Sequence, residues 1–364
     1  MSAAEYMPLL GCMICCCLII TAIILTMAGS SRSSTVATCY AQQALMLPGN
    51  GTGIEGGETS ISCSGEQILT LGGNVAVAFR INQTTLQYGV VQAFHNAVAL
   101  AQSCDGSFVA IAGRNNVISM YVATPTIFAL YNQPLPCPAT LLAMSCTNLV
   151  LVAAKTTLAT VFQYNGTHFA EKTKIHTKHP IGAIAVSCRG DAIALTQPQA
   201  RYVGLYDSQT GTLIASAEEP SVSTFATSVA LSGPRGQLMA VGAPNASRIF
   251  LYNCRETCEP HDVLHEPGQP GFGWSVSLNG NGGRLLAGTW STYAFPGNVT
   301  LYTWNDRLGR YKAEPTPSDA EMGKYVALGH AGREYVVSTG GTASRRIAQA
   351  GCWKRVGTAC PACV

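Results

Sequence analysis

Charged side chains are scarce in this chain of 364 residues. Lys, Arg, Asp and Glu together make up 11% of it, whereas an average globular protein has about 25%. The net charge is only +3 and no run of Lys or Arg occurs. The sequence therefore lacks the basic patch that is typical of nucleic-acid binding, and we predict no nucleic-acid partner.

Catalytic motifs are lacking as well. The chain has no Gly-x-Ser-x-Gly, and its few carboxylates are scattered along the sequence. It also lacks the Ser-x-Asp-x-Gly-x-Thr-Trp box that sialidase repeats carry. The sequence therefore favours a non-catalytic protein and predicts no cofactor and no metal.

One long hydrophobic run stands at the N-terminus. Met7 to Ala28 contains no charged residue, and about twenty apolar residues suffice to span a bilayer as a helix. A cleaved signal peptide usually has a basic start and a shorter apolar core, whereas Glu5 precedes this run. We predict a cytosolic tip and transmembrane signal-anchor over residues 1–30, with cleavage after Ala28 as the alternative.

Asn-x-Ser/Thr sequons follow the predicted anchor in excess of chance. Such sites accept N-linked glycans in secreted proteins, so we predict that the C-terminal part is extracellular or luminal. The five candidate sites are Asn50, Asn82, Asn165, Asn245 and Asn298.

Fifteen cysteines divide into two groups. Four lie in the apolar run, as hydrophobic filler or, at Cys15, Cys16 and Cys17, as palmitoylation candidates. The other eleven are an odd number, so at least one is free or bonded between chains.

Four of these eleven are periodic. The separations are 41, 42 and 42 residues, each cysteine follows a serine, and we interpret most of the four as buried thiols. These cysteines are Cys63, Cys104, Cys146 and Cys188.

The disulfide candidates are spaced less regularly. A Cys137–Cys146 bridge is the alternative to a thiol at Cys146, and Cys254 and Cys258 flank a loop short enough to close a hairpin. A bridge from Cys39 to the C-terminal group would join the two ends of the chain. That group contains Cys352, Cys360 and Cys363, the last two spaced as a CxxC with no sign of the βαβ context of a redox site.

A repeat dominates the rest of the chain. Phe272 to Tyr302 has an alternating apolar strand, a Gly/Asn turn, a second apolar strand, a Gly break and a third strand. Seven copies of this pattern, each of about 42 residues, are typical of propeller blades. We predict an all-β fold: a seven-bladed β-propeller over residues 57–351, after a stalk at 31–56 and before a Cys-rich tail at 352–364.

The fifth and sixth copies carry a more specific motif. Phe225 with Gly242-Ala243-Pro244, and Phe272-Gly273 with Gly288, stand at matching positions. This pattern resembles the FG-GAP repeat, the blade of the integrin alpha-subunit propeller. The resemblance implies a propeller that binds or adheres to a partner.

Calcium binding is not implied with it. Many FG-GAP blades hold calcium through an Asp-x-Asp-x-Asp-Gly loop, because this cation needs several oxygen ligands. None of the corresponding loops here offers more than one carboxylate. They are Ser64-Gly65-Glu66, Cys104-Asp105-Gly106, Arg189-Gly190-Asp191, Gly233-Pro234-Arg235 and Asn279-Gly280-Asn281.

Arg189, Gly190 and Asp191 spell the tripeptide that integrins recognise, and they are candidates for a binding site. Gly190 lies in the turn that every copy of the repeat has at this place, and a glycine suits such a turn whether or not the triplet binds a partner.

Together these features predict a membrane-anchored propeller with one span that recognises a protein or glycan partner. One alternative is a structural membrane protein of an oligomer or larger assembly, such as the membrane of a large DNA virus particle. Another is a propeller enzyme of the glycosidase kind.

Overall fold

The computed structural model describes residues 43–46, 56–132, 134–289, 297–314, 322–339 and 346–352. The predicted anchor, its palmitoylation candidates and most of the Cys-rich tail lie outside these ranges. So do Cys39, Asn50, Cys360 and Cys363. Within the described ranges, no helix has the length and apolar character needed to cross a membrane.

The described residues form short strands joined by tight turns. The first seven strands are β1 (Gln43–Met46), β2 (Gly56–Ile61), β3 (Gln67–Gly72), β4 (Val75–Asn82), β5 (Gln87–His95), β6 (Ala97–Gln102) and β7 (Phe108–Gly113). The next seven are β8 (Ile118–Ala123), β9 (Phe128–Leu130), β10 (Leu141–Met144), β11 (Val150–Lys155), β12 (Leu158–Tyr164), β13 (Phe169–His176) and β14 (Ile184–Val186).

The second half of the chain continues in the same way, with two single 3-10 turns at Pro198–Ala200 and Pro244–Ala246. Its first seven strands are β15 (Ala192–Gln197), β16 (Tyr202–Asp207), β17 (Leu213–Glu218), β18 (Ser228–Ser232), β19 (Leu238–Ala243), β20 (Arg248–Cys254) and β21 (Cys258–His265). The last seven are β22 (Ser275–Leu278), β23 (Arg284–Gly288), β24 (Val299–Asn305), β25 (Arg310–Glu314), β26 (Met322–Leu328), β27 (Glu334–Thr339) and β28 (Arg346–Cys352).

In the described part of the chain these strands form seven four-stranded antiparallel sheets. Six of them use four consecutive strands, and we number them first to sixth: β2–β5, β6–β9, β10–β13, β14–β17, β18–β21 and β22–β25. The seventh sheet is composite, since β1 adds to the outer side of β28, followed by β27 and β26. The predicted all-β propeller fold is confirmed.

The composite sheet joins the two ends of the propeller. Gln43 pairs with Ala350 and Met46 with Arg346, so backbone hydrogen bonds connect the N-terminal strand to the last one. β1 lies inside the segment that was predicted to be a stalk. The structure therefore differs from the prediction at these four residues, which form a strand. Four residues without a clear alternating pattern give too little local signal to predict an edge strand.

The core lies between neighbouring sheets. Each sheet buries both faces, and each of the seven hydrophobic clusters contains residues from two adjacent sheets. One cluster joins Ile68 of the first sheet to Val336 of the seventh. The first strand of each sheet also contacts the first strand of the next, including β2 with β26. The sheets therefore surround a common axis.

The turns between the first and second strands share a hydrogen-bonding pattern and a backbone conformation. In four sheets the serine before the periodic cysteine accepts a hydrogen bond from the backbone N–H five residues later, as Ser62 does from Gln67 at 3.0 Å. The same bond recurs at Ser103, Ser145 and Ser187. A residue with positive φ then closes the turn. It is Gly65, Gly106, Gly190, Gly236, Gly282 or Gly332, and Asn148 in the third sheet.

Candidate functional site

The residue after each turn serine points to the axis. The equivalent positions in the seven sheets form what we call the axial ring: Cys63, Cys104, Cys146, Cys188, Gly233, Gly280 and His330. Backbone hydrogen bonds connect neighbours in this ring. The N–H of Cys146 donates to the carbonyl of Cys188 at 2.9 Å, and that of Gly280 donates to the carbonyl of His330 at 2.9 Å.

The ring sulfurs lie close to one another. Cys104 and Cys146 form a disulfide with their Cα atoms 4.4 Å apart, and Cys63 and Cys188 are disulfide-bonded as well. The interpretation of most of these four residues as thiols is therefore wrong. First strands converge at the axis of a propeller, so equivalent positions in adjacent sheets approach within bonding distance.

The alternative Cys137–Cys146 bridge is also not formed. Cys137 is a buried free thiol, and it packs in the cluster between the second and third sheets. The structure does join Cys254 to Cys258 across the β20–β21 turn. The predicted Cys254–Cys258 disulfide is thus present. Cys146, however, pairs with Cys104 and not with Cys137.

His330 reaches across the axis to two of the cysteines. Its Nδ1 lies 3.6 Å from Cys146 Sγ and 3.9 Å from Cys188 Sγ, and its Nε2 lies 3.6 Å from Cys188 Sγ. The third and fourth sheets stand opposite the seventh in the ring, so these contacts span the axis. Burial lowers the pKa of His330, which favours the neutral imidazole.

Gly280 makes room for this histidine. A Cβ atom added at position 280 would lie 2.0 Å from Cε1 of His330 and 2.1 Å from its Nε2. Any side chain there would occupy the space of the imidazole. The sixth sheet therefore contributes only backbone at this level, and the side chains that meet at the axis are sulfurs and one imidazole.

No carboxylate occupies a described position of the axial ring. Asp105, next to Cys104, is exposed, and its Oδ1 accepts hydrogen bonds from Ser103 Oγ and Ser107 Oγ at 2.6 and 2.8 Å. Glu58 lies on β2, where its Oε2 accepts a hydrogen bond from the N–H of Leu100 at 3.3 Å. Burial raises the pKa of Glu58 to about 7. These two acids are separately engaged and do not form a paired acid–base site.

A groove of about 710 Å³ lies beside the ring, between the fourth and fifth sheets. Three arginines line it, Arg189, Arg235 and Arg255, together with Asp191 and Asp207. Four of them lie in turns between first and second or third and fourth strands, and Asp207 ends the third strand β16 where such a turn begins. Antiparallel strands place these turns at the same end of the propeller, which is also the end that carries the axial ring.

The Arg-Gly-Asp triplet forms part of this groove. Gly190 has a φ of +81° and its N–H donates to the carbonyl of Ser187, so the triplet is a tight turn. Nε of Arg189 lies 3.5 Å from Oδ2 of Asp191, and Nε of Arg235 lies 3.8 Å from the same oxygen. The arginine and aspartate of the triplet thus pair with each other.

Two further features set the charge of the groove. Asp207 is engaged in its own turn, where Oδ1 accepts from the N–H groups of Gln209 and Thr210. Arg255 is exposed within the loop that the Cys254–Cys258 disulfide closes, and it forms no ion pair among the described residues. Three cations face two partly satisfied carboxylates, so the groove suits an added negative group.

The described sequons lie on the surface to different degrees. Asn82, Asn165 and Asn245 are exposed, whereas Asn298 is partly buried. The Oδ1 of Asn82 accepts from the N–H groups of Thr84 and Thr85. Asn165 makes the same kind of turn with Thr167.

Comparisons with known proteins show the fold alone. No protein-family model and no curated protein matches the chain, so the FG-GAP assignment stays a prediction. Solved structures do match, among them the WD40 repeats of RRP9, with a TM-score of 0.64 at 12% identity over 86% of this chain and 100% of that one.

Two other structures give the same result. U3-55K matches with a TM-score of 0.63 at 12% identity, covering 85% of this chain and 98% of its own. The β-propeller domain of Cps50 (Swd1) from Myceliophteria thermophila matches with a TM-score of 0.60 at 12% identity, covering 87% and 100%. The chain is therefore a WD40-like β-propeller in fold.

The sequence indicated part of the axial ring but did not indicate the groove. The period of the four cysteines marked them as equivalent, but His330 carries no such period. Arg235 and Arg255 come from turns of no recognisable motif, and only the fold brings them to Arg189.

Proposed function

We propose that this propeller is a non-catalytic protein-interaction scaffold that binds an acidic segment of a partner in the groove between the fourth and fifth sheets. The observation that carries the proposal is the convergence of Arg189, Arg235 and Arg255 on one concave surface. Arginine presents a planar fork of donors that suits carboxylates. Loops held by a rigid scaffold are also common binding sites.

The existing ion pairs of the groove leave its arginines available. The side chains of Arg189 and Arg235 are 46% and 72% exposed. Exposed ion pairs contribute only about 0–1 kcal/mol, so a partner carboxylate can replace Asp191 at small cost. The Cys254–Cys258 disulfide holds the Arg255 loop in a narrow range of conformations, which lowers the entropy lost on binding.

The predicted anchor supports a finer proposal about location. A span at residues 7–28 would tether the propeller to a membrane, with the domain on the extracellular or luminal side. This arrangement fits an adhesion or receptor role related to FG-GAP propellers. If the protein is instead a component of a larger assembly, such as a virion membrane, the occupant of the groove would be another subunit.

Substitution of Arg235 and Arg255 is expected to weaken the binding of acidic peptides. We would select a random peptide library against the folded protein and test the enriched peptides on an Arg235→Glu/Arg255→Glu variant. The enriched peptides should carry Asp or Glu and bind the variant about tenfold more weakly or worse, a loss of about 1.4 kcal/mol. Binding would be measured by fluorescence anisotropy at low and high salt.

The matched control is Arg114→Glu/Arg248→Glu. It changes the net charge equally, but both residues are exposed at the opposite end of the propeller, Arg114 in the β7–β8 turn and Arg248 at the start of β20. This variant should bind the peptides as the parent does. Selected peptides without acidic residues, or an equal loss in both variants, would contradict the groove as the binding surface.

Glycosylation gives an independent test of the location. Expression of the full chain in a glycosylating host should yield a product whose gel mobility increases after endoglycosidase treatment. The shift should shrink stepwise in Asn82→Gln, Asn165→Gln and Asn245→Gln variants, because these exposed sites accept a glycan without disturbing the core. Asn115→Gln, an exposed asparagine outside any sequon, is the control. An untreated product that already runs at the unmodified mass would refute the extracellular or luminal placement.

A further inference from the structure

We propose that the axial ring is a zinc site in the reduced protein, with Cys104, Cys146, Cys188 and His330 as its ligands. Zinc sites of this kind are tetrahedral and use Cys thiolates and His nitrogens. The ligand atoms of Cys104, Cys146 and His330 all lie within 4.8 Å of one another in the described structure. The site shares no side chain with the groove, and neither proposal depends on the other.

The sulfur–nitrogen distances at His330 are close to the edge length of such a tetrahedron. Zn–S bonds of ~2.3 Å and Zn–N bonds of ~2.0–2.1 Å place a sulfur and a nitrogen ligand about 3.6 Å apart. Nδ1 of His330 lies 3.6 Å from Cys146 Sγ and 3.9 Å from Cys188 Sγ. We therefore assign Nδ1 as the nitrogen donor.

The surrounding residues leave space and access for the ion. Gly233 and Gly280 hold the ring positions of the fifth and sixth sheets, and neither adds a side chain. Cys104, Cys146 and His330 are each partly exposed at the end of the propeller, which gives an ion a path to the ring. A bound zinc would join the second, third and fourth sheets to the seventh across the axis.

Metal binding and the disulfides exclude each other at the same sulfurs. A phosphine reductant breaks an S–S bond and becomes a phosphine oxide, with water supplying its oxygen and the two protons of the resulting thiols. Zinc then binds three thiolates and one imidazole, and three thiol protons are released. An oxidising compartment would favour the disulfides and a reducing one the metal.

The experiment uses the full chain, reduced with a phosphine under anaerobic conditions and titrated with Co²⁺ and then Zn²⁺. We expect the visible absorption of tetrahedral cobalt with a near-ultraviolet thiolate band, and displacement of one Co²⁺ per chain by Zn²⁺. Cys146→Ser and His330→Ala should each weaken binding by more than about 100-fold, because loss of a ligand exceeds the ~10–100-fold effect of an outer-shell change.

Two controls separate this site from other cysteines. Cys137→Ser removes the buried thiol outside the ring, and Cys360→Ser/Cys363→Ser removes the C-terminal CxxC. Both variants should keep the ring metal. Alkylation followed by mass spectrometry needs no variant at all: Zn²⁺ should protect Cys104, Cys146 and Cys188 in the reduced parent protein. Absence of tetrahedral cobalt absorption, absence of this protection, or a site lost only in the C-terminal variant would overturn the proposal.

Discussion

A Gly242→Ala substitution is expected to destabilise the propeller by about 3 kcal/mol, the upper end of the usual range for an overpacked core. A Cβ atom at position 242 would lie 1.9 Å from the carbonyl oxygen of Gly273 and 2.3 Å from Ser228 Oγ. The carbonyl is backbone and accepts a hydrogen bond from that hydroxyl at 2.9 Å, so it has no rotamer by which to move away. Relief requires the fifth and sixth sheets to separate.

Chemical unfolding, followed by tryptophan fluorescence and by circular dichroism, would measure the effect. The matched control is Gly89→Ala on β5, where an added Cβ meets no atom within 4 Å. That change should be neutral or raise stability by a few tenths of a kcal/mol up to about 1 kcal/mol, because alanine restricts the unfolded chain. Equal unfolding midpoints for the two variants would refute the contact.

The same contact recurs one sheet further along. A Cβ at Gly288 would lie 2.1 Å from the carbonyl oxygen of Gly323. This repeats the contact that a Cβ at Gly242 would make with the carbonyl oxygen of Gly273. In both cases a glycine of the second strand packs on the backbone at the start of the next sheet, just before β22 for Gly273 and at the beginning of β26 for Gly323. The glycines that suggested an FG-GAP repeat therefore have a packing role here, which requires no calcium.

Much of the fold could be predicted from the sequence because its signals are local. Alternation of apolar residues indicated the first three strands of most sheets, such as β18, β19 and β20. The turn between the first two strands depends on a serine acceptor and on a residue with positive φ. Both can be recognised in the sequence, the second as a glycine or an asparagine. These signals need no knowledge of distant residues.

The closure of the propeller and its functional surfaces could not be predicted in this way. β1 pairs with β28, although the two strands lie near opposite ends of the described sequence. β1 has only four residues, and their sequence does not indicate the strand with which they pair. The period of the cysteines showed that Cys104 and Cys146 are equivalent, but their separation is set by how closely the strands approach the axis. The groove likewise depends on the packing of the fourth sheet against the fifth.

A Phe272→Ala substitution should cost about 3–5 kcal/mol of stability, the usual range for deleting a buried aromatic ring. Phe272 is 0% exposed and packs in the cluster between the fifth and sixth sheets with Ile249 and Leu251. Its ring lies edge-on to that of Tyr302, with centroids 6.0 Å apart. Truncation leaves a cavity that two rigid sheets cannot close, so both lost burial and lost contacts contribute.

Leu308→Ala is the surface control, since Leu308 is 55% exposed in the β24–β25 turn and should change stability by no more than about 0.5 kcal/mol. Phe272→Leu should fall between the two, because it keeps an apolar side chain while removing the ring. Urea unfolding with fluorescence and circular dichroism would test whether the transition remains cooperative. If Phe272→Ala unfolds at the same urea concentration as Leu308→Ala, the inter-sheet cluster does not hold these sheets together. A loss confined to the fluorescence signal would show instead that the two sheets separate before the rest of the propeller unfolds.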